Sequence, residues 1–337
     1  MSKVDNIRWW RGILAIMAAT DELMLVRAAE LYYEDNKTQD EIGALLRLTR
    51  WKVGRLLAQA REDGIVRIEI VHPRARRTSL ERQLVARFGL ADAVVVPETD
   101  DLLAVPAAAA DYLAALRPVP RTLGVSWGRT IDAVATALPD GWADGVNVVQ
   151  VNGGLSLNRR GRDAAATAVT IAQKAGGVAT TLPIPAILER QQTRAIIEAD
   201  RSVSAVLKLA DAASAFLYSA GVADSDSVLV DSGYLSADDV ARLVRKGAVG
   251  DVLGRYIDGY GTIVDVGLDE RTVGLGLDRL RSASTAIAVI SGEAKHGVAH
   301  AVVSSGLCTI FVTDETTALA VLRQQQPVPH SEPMEPA

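Results

Sequence analysis

The sequence is poor in cysteine and in aromatic residues, and it contains no long hydrophobic run. Cys308 is the single cysteine, so neither a disulfide framework nor a Cys-ligated zinc site is available. No apolar stretch approaches the roughly 20 residues that a transmembrane helix requires. We therefore expect a protein of the reducing cytoplasm with no membrane partner, no metal site and no cofactor.

The apolar content has a composition typical of layered α/β proteins. Hydrophobic residues make up 49% of the 337 residues, whereas aromatic residues make up only 4%. Ala, Val and Leu supply most of the apolar side chains, which suits close-packed helices and strands better than an aromatic-rich sandwich. After residue 79 predicted strands alternate with predicted helices, which indicates a mostly parallel sheet covered by helices on both faces.

The net charge of −5 is unevenly distributed along the chain. Through Thr78 there are 14 Lys and Arg against 11 Asp and Glu, a balance of +3, so the remainder carries −8. Between residues 45 and 77 only Glu62, Asp63 and Glu69 oppose the Lys and Arg residues. A basic head on an acidic body is consistent with nucleic-acid contact at one end of the chain.

Residues 38–64, TQDEIGALLRLTRWKVGRLLAQAREDG, predict two short helices joined by a tight turn. Thr38 stands at an N-cap position and Glu41 follows three residues later, which is the spacing of a capping box. Thr49 can cap the second helix. Each predicted helix carries an apolar stripe, Ile42, Leu45 and Leu46 on the first and Val53, Leu56, Leu57 and Ala60 on the second.

The free side of the second helix carries basic and aromatic residues, as in a helix-turn-helix that offers this helix to a DNA groove. The alternative is a helical hairpin whose charged face is only solvated. The candidate DNA-binding residues are Thr38, Gln39, Thr49, Arg50, Trp51, Lys52 and Arg55.

Neighbouring segments complete a predicted DNA-binding head at residues 1–78. Residues 21–34 predict its first helix, with a stripe through Leu25, Ala28, Ala29 and Tyr32. Residues 65–70 alternate like a strand, which predicts a winged variant, and a basic linker follows Pro73. Residues 6–19 predict an extra amphipathic helix. Residues 79–323 are expected to bind an effector and to oligomerise, and residues 324–337 form a Pro-rich tail expected to be disordered.

The larger predicted domain contains four glycine turns that are expected to follow strands: residues 124–130, 151–154, 247–251 and 291–295. In open α/β sheets, ligands bind outside the carboxyl ends of strands, where helix N-termini offer N–H groups to anions. Together the turns predict one polar site for a hydroxylated small molecule, with or without an anionic group. The candidate residues are Gly124, Ser126, Gly128, Arg129, Thr130, Asn152, Gly153, Asp251, Glu293 and Lys295.

An enzyme is the rival interpretation of the same turns. Residues 124–128 match the G-x-S-x-G nucleophile elbow, and Asp251 followed by His296 or His300 satisfies the order of a triad. No HGGG-like oxyanion segment precedes Ser126, and both histidines lie at a predicted helix start, which disfavours an esterase. A sugar-phosphate-metabolising enzyme would leave the basic head unexplained.

Several longer motifs carry a resemblance that spans residues 22–322. They are AAELYYEDNKTQDEIGALLRLTRWKVGRLLAQAREDGIVRIEI in the head, and LGVSWGRT, VNGG, LVDSGYLS, GAVGDVLGRYID, VGLGLDRLR and FVTDETTA in the body. With these motifs the chain resembles the SorC family of bacterial sugar-responsive transcriptional regulators, which is sometimes grouped with the DeoR-like repressors.

The resemblance implies a fold similar to sugar-phosphate isomerases of the glucosamine-6-phosphate deaminase type, with catalysis lost and binding kept. It implies homotetramers or dimers on palindromic operator DNA, effectors that are sugars, polyols or sugar phosphates, and action as a repressor, although the sequence leaves an activator open.

Roles for individual residues also follow from the resemblance. Ser126, Gly128, Arg129 and Thr130 would form an anion or hydroxyl loop, and Asn152 and Gly153 would line the site. Asp251 would accept hydrogen bonds from hydroxyls, and Lys295 would neutralise a phosphate. After residue 154 the sequence lacks the Asn-Pro helix start of relatives, and Arg159 or Arg160 could substitute there.

Overall fold

The computed structural model describes residues 23–66, 76–154 and 164–324. The chain divides into two compact units, residues 1–73 and 74–337. The predicted boundary after residue 78 falls at the first residue of a helix of the second unit, and the function of each domain stays a prediction. The predicted helix over residues 6–19, the predicted strand from residue 67 onward, Arg159, Arg160 and the tail from residue 325 lie outside the described residues.

The described residues of the first unit, 23–66, form three helices, α1 (residues 23–33), α2 (Gln39–Leu46) and α3 (Arg50–Glu62). The predicted capping box is confirmed, because the Thr38 side chain accepts from the Glu41 N–H and the Glu41 carboxylate accepts from the Thr38 N–H. Thr49 caps α3 by accepting from the Lys52 N–H. Arg47 ends α2 in a left-handed conformation with φ of 57°.

The core of the first unit corrects two members of the predicted stripes. It comprises Leu25, Ala28, Ala29, Leu31, Ile42, Val53, Leu57 and Ala60. Leu45 is 59% exposed, and Tyr32 is also exposed. A Cβ on Gly43 would lie 2.7 Å from the Leu48 carbonyl oxygen, so α2 presents its Gly43 side to the turn. With Gly43 facing the turn, the side chain of Leu45 points away from the core.

The second unit alternates helices and strands. Its first half comprises α4 (Thr78–Phe88), β1 (Asp92–Val96), α5 (Ala104–Ala115), β2 (Thr122–Val125), α6 (Arg129–Ala137), β3 (Asn147–Gln150), α7 (Ala164–Lys174), β4 (Val178–Thr180), α8 (Gln191–Ala199), α9 (Arg201–Asp211) and β5 (Ala215–Tyr218). Its second half comprises β6 (Ala220–Val222), α10 (Val228–Asp231), α11 (Ala237–Arg245), β7 (Gly250–Val252), β8 (Arg255–Ile257), α12 (Val266–Asp269), α13 (Leu277–Arg281), β9 (Ala286–Val289), a 3-10 turn (Glu293–Lys295), α14 (His296–Ser304), β10 (Ile310–Asp314) and α15 (Glu315–Arg323).

Seven of these strands form one parallel sheet in the order β1-β10-β9-β5-β2-β3-β4, which confirms the predicted fold class. Side chains along β5 alternate between two cores, with Ala215 and Leu217 in one and Phe216 and Tyr218 in the other. The chain builds outward from β2 through β3 and β4, and then returns to place β5 on the other side of β2. A crevice therefore opens between the carboxyl ends of β2 and β5, which is the topological switch point.

A second, antiparallel sheet has the order β6-β7-β8 and corrects the interpretation of residues 247–251. Gly250 and Asp251 lie within β7, so this segment is not a turn after a parallel strand. The chain reverses at Leu253 and Gly254, whose φ angles are 54° and 83°. This tight hairpin pairs β7 with β8 and sets Asp251 opposite Gly221 of β6.

Two arginines of the predicted basic linker are engaged within the second unit. Arg76 pairs with Glu81 at 2.7 Å, and Arg77 pairs with Glu315 at 2.8 Å. Each of these two arginines therefore has a carboxylate partner within the second unit. In the part of the chain that the structure describes, no helix is long and apolar enough to span a bilayer.

Candidate functional site

A cleft lies in the crevice between the carboxyl ends of β2 and β5. Its free space, including the open mouth, is about 650 Å³, a size suited to a small molecule. The lining residues come from the segments that follow β2, β3, β5 and β9, from the small sheet and from α10. They are Ser126, Trp127, Gly128, Arg129, Thr130, Asn152, Ser219, Ala220, Gly221, Val222, Val228, Leu229, Asp251, Leu253, Gly254 and Lys295.

One wall of the cleft is the N-terminus of α6. Gly128 precedes this helix with φ of 136°, a conformation that favours glycine, and no side chain of the described residues caps the helix there. The first N–H groups of a helix have no partner within the helix, and the helix dipole adds positive potential. The Arg129 guanidinium donates to the Asp226 carbonyl oxygen at 3.0 Å. This wall can therefore bind an anionic group.

The opposite wall contains the buried carboxyl group of Asp251. Its Oδ2 accepts from the Gly254 N–H at 2.9 Å. A Cβ on Gly221 would lie 1.9 Å from Asp251 Oδ1, so only glycine leaves room for the carboxyl group there. Burial raises the pKa of Asp251 from 3.8 to about 6, against the lowering effects of the Gly254 N–H and of Lys295.

Lys295 brings positive charge to the cleft from the turn after β9. Burial lowers the pKa of its ammonium group, the charge of Asp251 raises it, and the charge of Arg129 lowers it further. Lys295 therefore interacts electrostatically with both Asp251 and Arg129. A bound anion near Arg129 would favour the charged form of Lys295.

Two polar atoms in the cleft are buried without a partner among the described residues, Ser126 Oγ and Asn152 Oδ1. An unsatisfied buried polar group costs about 1–3 kcal/mol. A hydroxyl group of a ligand can satisfy either atom, because hydroxyls both donate and accept. These atoms thus point to a hydroxylated ligand.

The position of Asn152 is fixed by its neighbours rather than by its own side chain. The Gln150 amide donates to the Asn152 carbonyl oxygen at 2.8 Å, and Asn152 forms a β-bridge with Gly274. The Trp127 indole donates to the Gly153 carbonyl oxygen at 2.8 Å, which ties the turn after β2 to the turn after β3. The turn after β2 and the turn after β3 are therefore linked at the base of the cleft.

The structure brings seven of the ten predicted effector residues to this cleft: Ser126, Gly128, Arg129, Thr130, Asn152, Asp251 and Lys295. Three do not line it. Gly124 lies inside β2, where a Cβ would clash with Phe216. The Gly153 carbonyl oxygen accepts from the Trp127 indole, and a Cβ on Gly153 would clash with the Pro185 carbonyl oxygen. Glu293 is exposed to solvent in the 3-10 turn.

The segment after β5 supplies lining residues that the sequence reasoning missed. Ser219 and Gly221 follow this strand, and Leu253 and Gly254 come from the hairpin. Ser219, Ala220 and Gly221 come directly after β5, but Ala220 and Gly221 already belong to β6 and do not form a turn. No sequence signal placed the hairpin beside it.

The nucleophile-elbow interpretation of Ser126 finds no triad in the structure. Ser126 Oγ has no hydrogen-bond partner among the described residues. His300 is buried, with its ring centre 6.1 Å from that of Phe88. His296 Nε2 is likewise buried without a partner among the described residues. No described group of three or more His, Cys, Asp or Glu residues could hold a metal ion.

The predicted DNA-binding residues lie on α2, on α3 and at their caps. Arg50, Trp51, Lys52 and Arg55 are exposed, with Trp51 73% exposed. Arg50 lies 3.6 Å from Asp40 in an exposed pair. Thr38 and Thr49 use their hydroxyls as helix caps, and Gln39 lies against Gly54.

Comparison with known proteins identifies the class. Residues 72–323 match the family model described as "Putative sugar-binding domain". The chain is 31% identical over 318 residues to the transcriptional regulator LsrR of Klebsiella pneumoniae, covering 91% of this chain and 94% of the relative. It is 29% identical over 302 residues to the deoxyribonucleoside regulator of Bacillus subtilis, covering 88% of this chain and 96% of the relative.

A solved structure agrees with these sequence relatives. The full-length sorbitol operon regulator SorC of Klebsiella pneumoniae superposes with a TM-score of 0.67 at 27% identity, covering 90% of this chain and 100% of that chain. These comparisons define the class as transcriptional regulators with a sugar-binding domain. The chain belongs to the SorC/DeoR family of sugar-responsive transcriptional regulators, and it is not an enzyme.

Proposed function

We propose that this regulator binds operator DNA through α2 and α3, and that a phosphorylated sugar or polyol in the cleft controls this binding. The observation that carries the proposal is the cleft itself. It combines an uncapped helix N-terminus and Lys295 with the two unsatisfied polar atoms, Ser126 Oγ and Asn152 Oδ1.

The phosphate is assigned to the wall at α6. The N–H groups of the first turn, the Thr130 hydroxyl and the Arg129 guanidinium are donors of the kind that phosphate oxygens accept. Lys295 adds a positive charge that a phosphate dianion would stabilise. An unphosphorylated sugar would leave this charge in a buried site without a second partner besides Asp251.

The hydroxyl groups of the effector are assigned to the remaining polar side chains. Asp251 accepts hydrogen bonds from sugar hydroxyls, and Ser126 and Asn152 complete the contacts. The names of the relatives, which refer to deoxyribonucleosides and to the sorbitol operon, support a sugar or polyol rather than an amino acid.

The DNA contact is assigned to the helix-turn-helix formed by α2 and α3. Arg50, Lys52 and Arg55 form an exposed basic face, and such faces bind phosphates and base edges. We propose that the protein is a repressor that acts in the cytoplasm as a homotetramer or dimer. Effector binding would then favour the arrangement of subunits with lower affinity for the operator.

A thermal-shift screen tests the effector assignment. Sorbitol, ribose and deoxyribose would be compared with sorbitol 6-phosphate, ribose 5-phosphate and deoxyribose 5-phosphate, with inorganic phosphate as a reference. A ligand that binds the native state raises the melting temperature. At least one phosphorylated compound should raise it more than its unphosphorylated form does, and Lys295→Met should remove that difference.

Two results of this screen would contradict the assignment of a phosphorylated effector. If sugars raise the melting temperature while their phosphates do not, the wall at α6 does not hold a phosphate. If Lys295→Met keeps the full advantage of the phosphorylated compound, the positive charge that selects it lies elsewhere.

A further inference from the structure

Trp51 and Arg55 form a pair on the exposed face of α3. They are one helical turn apart, so their side chains point the same way. The Arg55 guanidinium carbon lies 5.2 Å from the centre of the Trp51 ring, within the range of a cation–π contact. Trp51 is 73% exposed, and such a large apolar surface in water favours contact with a partner.

The Trp51 ring restrains an arginine that has no carboxylate partner. Arg50 lies 3.6 Å from Asp40, whereas no described carboxylate pairs with Arg55. The planar guanidinium presents a fork of donors, and a ring contact reduces the freedom that it loses when it binds. Arg55 is therefore oriented but still available for a ligand with two acceptors.

The surface beside this pair is a shallow recess bordered by Gln39, Arg50, Trp51, Gly54 and Arg55. Gly54 has no side chain to fill it, and the Gln39 amide lies over the glycine, 3.3 Å from the position of a Cβ. One edge of the recess is the apolar Trp51 ring, and another is the donor fork of Arg55. A ligand surface that carries both a methyl group and two hydrogen-bond acceptors would match this recess.

The major groove of DNA presents those groups on adjacent bases. Guanine offers its N7 and O6 as a pair of acceptors, and thymine offers a 5-methyl group. The first turns of a recognition helix are the part that reaches base edges. Trp51 and Arg55 lie in those turns of α3.

We propose that Trp51 and Arg55 read one base step together, with Arg55 donating two hydrogen bonds to a guanine and the Trp51 ring contacting the methyl group of an adjacent thymine. This inference rests on the proposed function, because it requires that α3 enters the major groove. It assigns base specificity to this pair and leaves the other basic residues of the face to the phosphates.

Selection of duplexes from a random library by the full-length protein tests the assignment. The wild-type protein should select a motif that contains guanine next to thymine. Arg55→Ala should lose the preference for that guanine and bind the wild-type motif about 5- to 150-fold more weakly, the range for one bidentate contact. Trp51→Ala should lose the preference for the thymine and weaken the preference for the guanine.

Modified bases in the selected duplex separate base contacts from backbone contacts. Replacing the guanine by 7-deazaguanine removes N7 alone, and it should weaken binding of the wild-type protein but not of Arg55→Ala. Replacing the thymine by uracil removes the methyl group alone, and it should weaken binding of the wild-type protein but not of Trp51→Ala. Arg61→Ala, on the last turn of α3, is the control that should select the wild-type motif.

Three results would overturn the inference, and they are distinguishable. If Arg55→Ala selects the unchanged motif and only reduces the salt dependence of binding, Arg55 contacts a phosphate. If Trp51→Ala changes the sedimentation coefficient of the protein but not its base preferences, the ring serves a contact between copies. If the wild-type protein selects no motif at all, the proposed DNA-binding function fails together with this inference.

Discussion

At the scale of single residues, the most informative group is the Asp251 carboxyl. It is buried in the cleft, it faces a glycine on the neighbouring strand, and it keeps one hydrogen bond to a backbone N–H. Burial without a cation in direct contact disfavours its charged form, which is why its pKa lies near 6 instead of 3.8. This cost is typical of a binding site that a ligand completes.

Asp251→Asn should therefore stabilise the ligand-free protein at neutral pH. A pKa raised from 3.8 to about 6 corresponds to about 3 kcal/mol. The folded state binds this proton more tightly than the unfolded state does. Protonated Asp251 therefore contributes these roughly 3 kcal/mol to the free energy of unfolding below about pH 4, and the contribution is lost as the pH rises through about 6. The melting temperature of the variant should exceed that of the wild type above pH 6, and the two should converge near pH 4.

The control for this comparison is Asp278→Asn, because the Asp278 side chain is 97% exposed and pairs with Arg281. That variant should follow the wild-type melting temperature across the whole pH range. If Asp251→Asn does the same, the carboxyl group is not desolvated in the folded protein. Asp251→Asn should also bind a phosphorylated sugar more weakly, since an amide donates where the carboxylate accepts.

At the scale of elements, the N-terminus of α6 depends on the conformation of one residue. Gly128 has a φ of 136° and a ψ of 166°, a region in which a Cβ is strained even though no atom lies within 4 Å of it. Such conformations cost a non-glycine residue about 1–3 kcal/mol. Relief of that strain would rotate the peptide that precedes the free N–H groups of the helix.

Gly128→Ala should therefore reduce the affinity for a phosphorylated sugar by about tenfold or more, as measured by titration calorimetry. Gly141→Ala is a matched control, since Gly141 also has a positive φ, 73°, and open space around it. Gly141 follows α6 and precedes β3, so it lies near the amino ends of the strands, away from the cleft at their carboxyl ends. Gly141→Ala should lower the melting temperature without changing the affinity for the phosphorylated sugar. Equal affinities for both variants would exclude α6 as the phosphate site.

At the scale of the whole molecule, the chain has two compact units with different charge and different predicted partners. Arg50→Ala should weaken operator binding and reduce its dependence on salt by about one phosphate contact, while the affinity for the effector stays the same.

Asp251→Ala should remove the effect of the sugar phosphate on operator binding. Both are measured by fluorescence anisotropy of a labelled duplex selected by the wild-type protein.

Arg242→Ala serves as the control for charge, because this exposed arginine lies in the second unit and pairs with Asp239. It should change neither binding equilibrium. If Arg50→Ala lowers both affinities equally, the two units do not divide the work as proposed. If Asp251→Ala still responds normally to the effector, the site lies outside the cleft.

Sequence alone determined the features that depend on neighbours along the chain. The capping box at Thr38 and Glu41, the cap at Thr49 and the alternation of strands with helices are set by local hydrogen bonds and by side-chain period, so they could be predicted. The turns after β2 and β3 followed in the same way, because a glycine after a buried strand signals the end of that strand. Leu45 was assigned wrongly, since its exposure depends on the turn that packs against Gly43.

Tertiary structure alone decided how the cleft is assembled. The return of the chain that sets β5 beside β2 opens the crevice, and the pairing of β7 with β6 delivers Asp251 into it. Both depend on pairing between strands far apart in sequence, which no local pattern encodes. For the same reason Gly221 and Leu253 were not predicted to line the cleft. Their positions are fixed by which strands become neighbours.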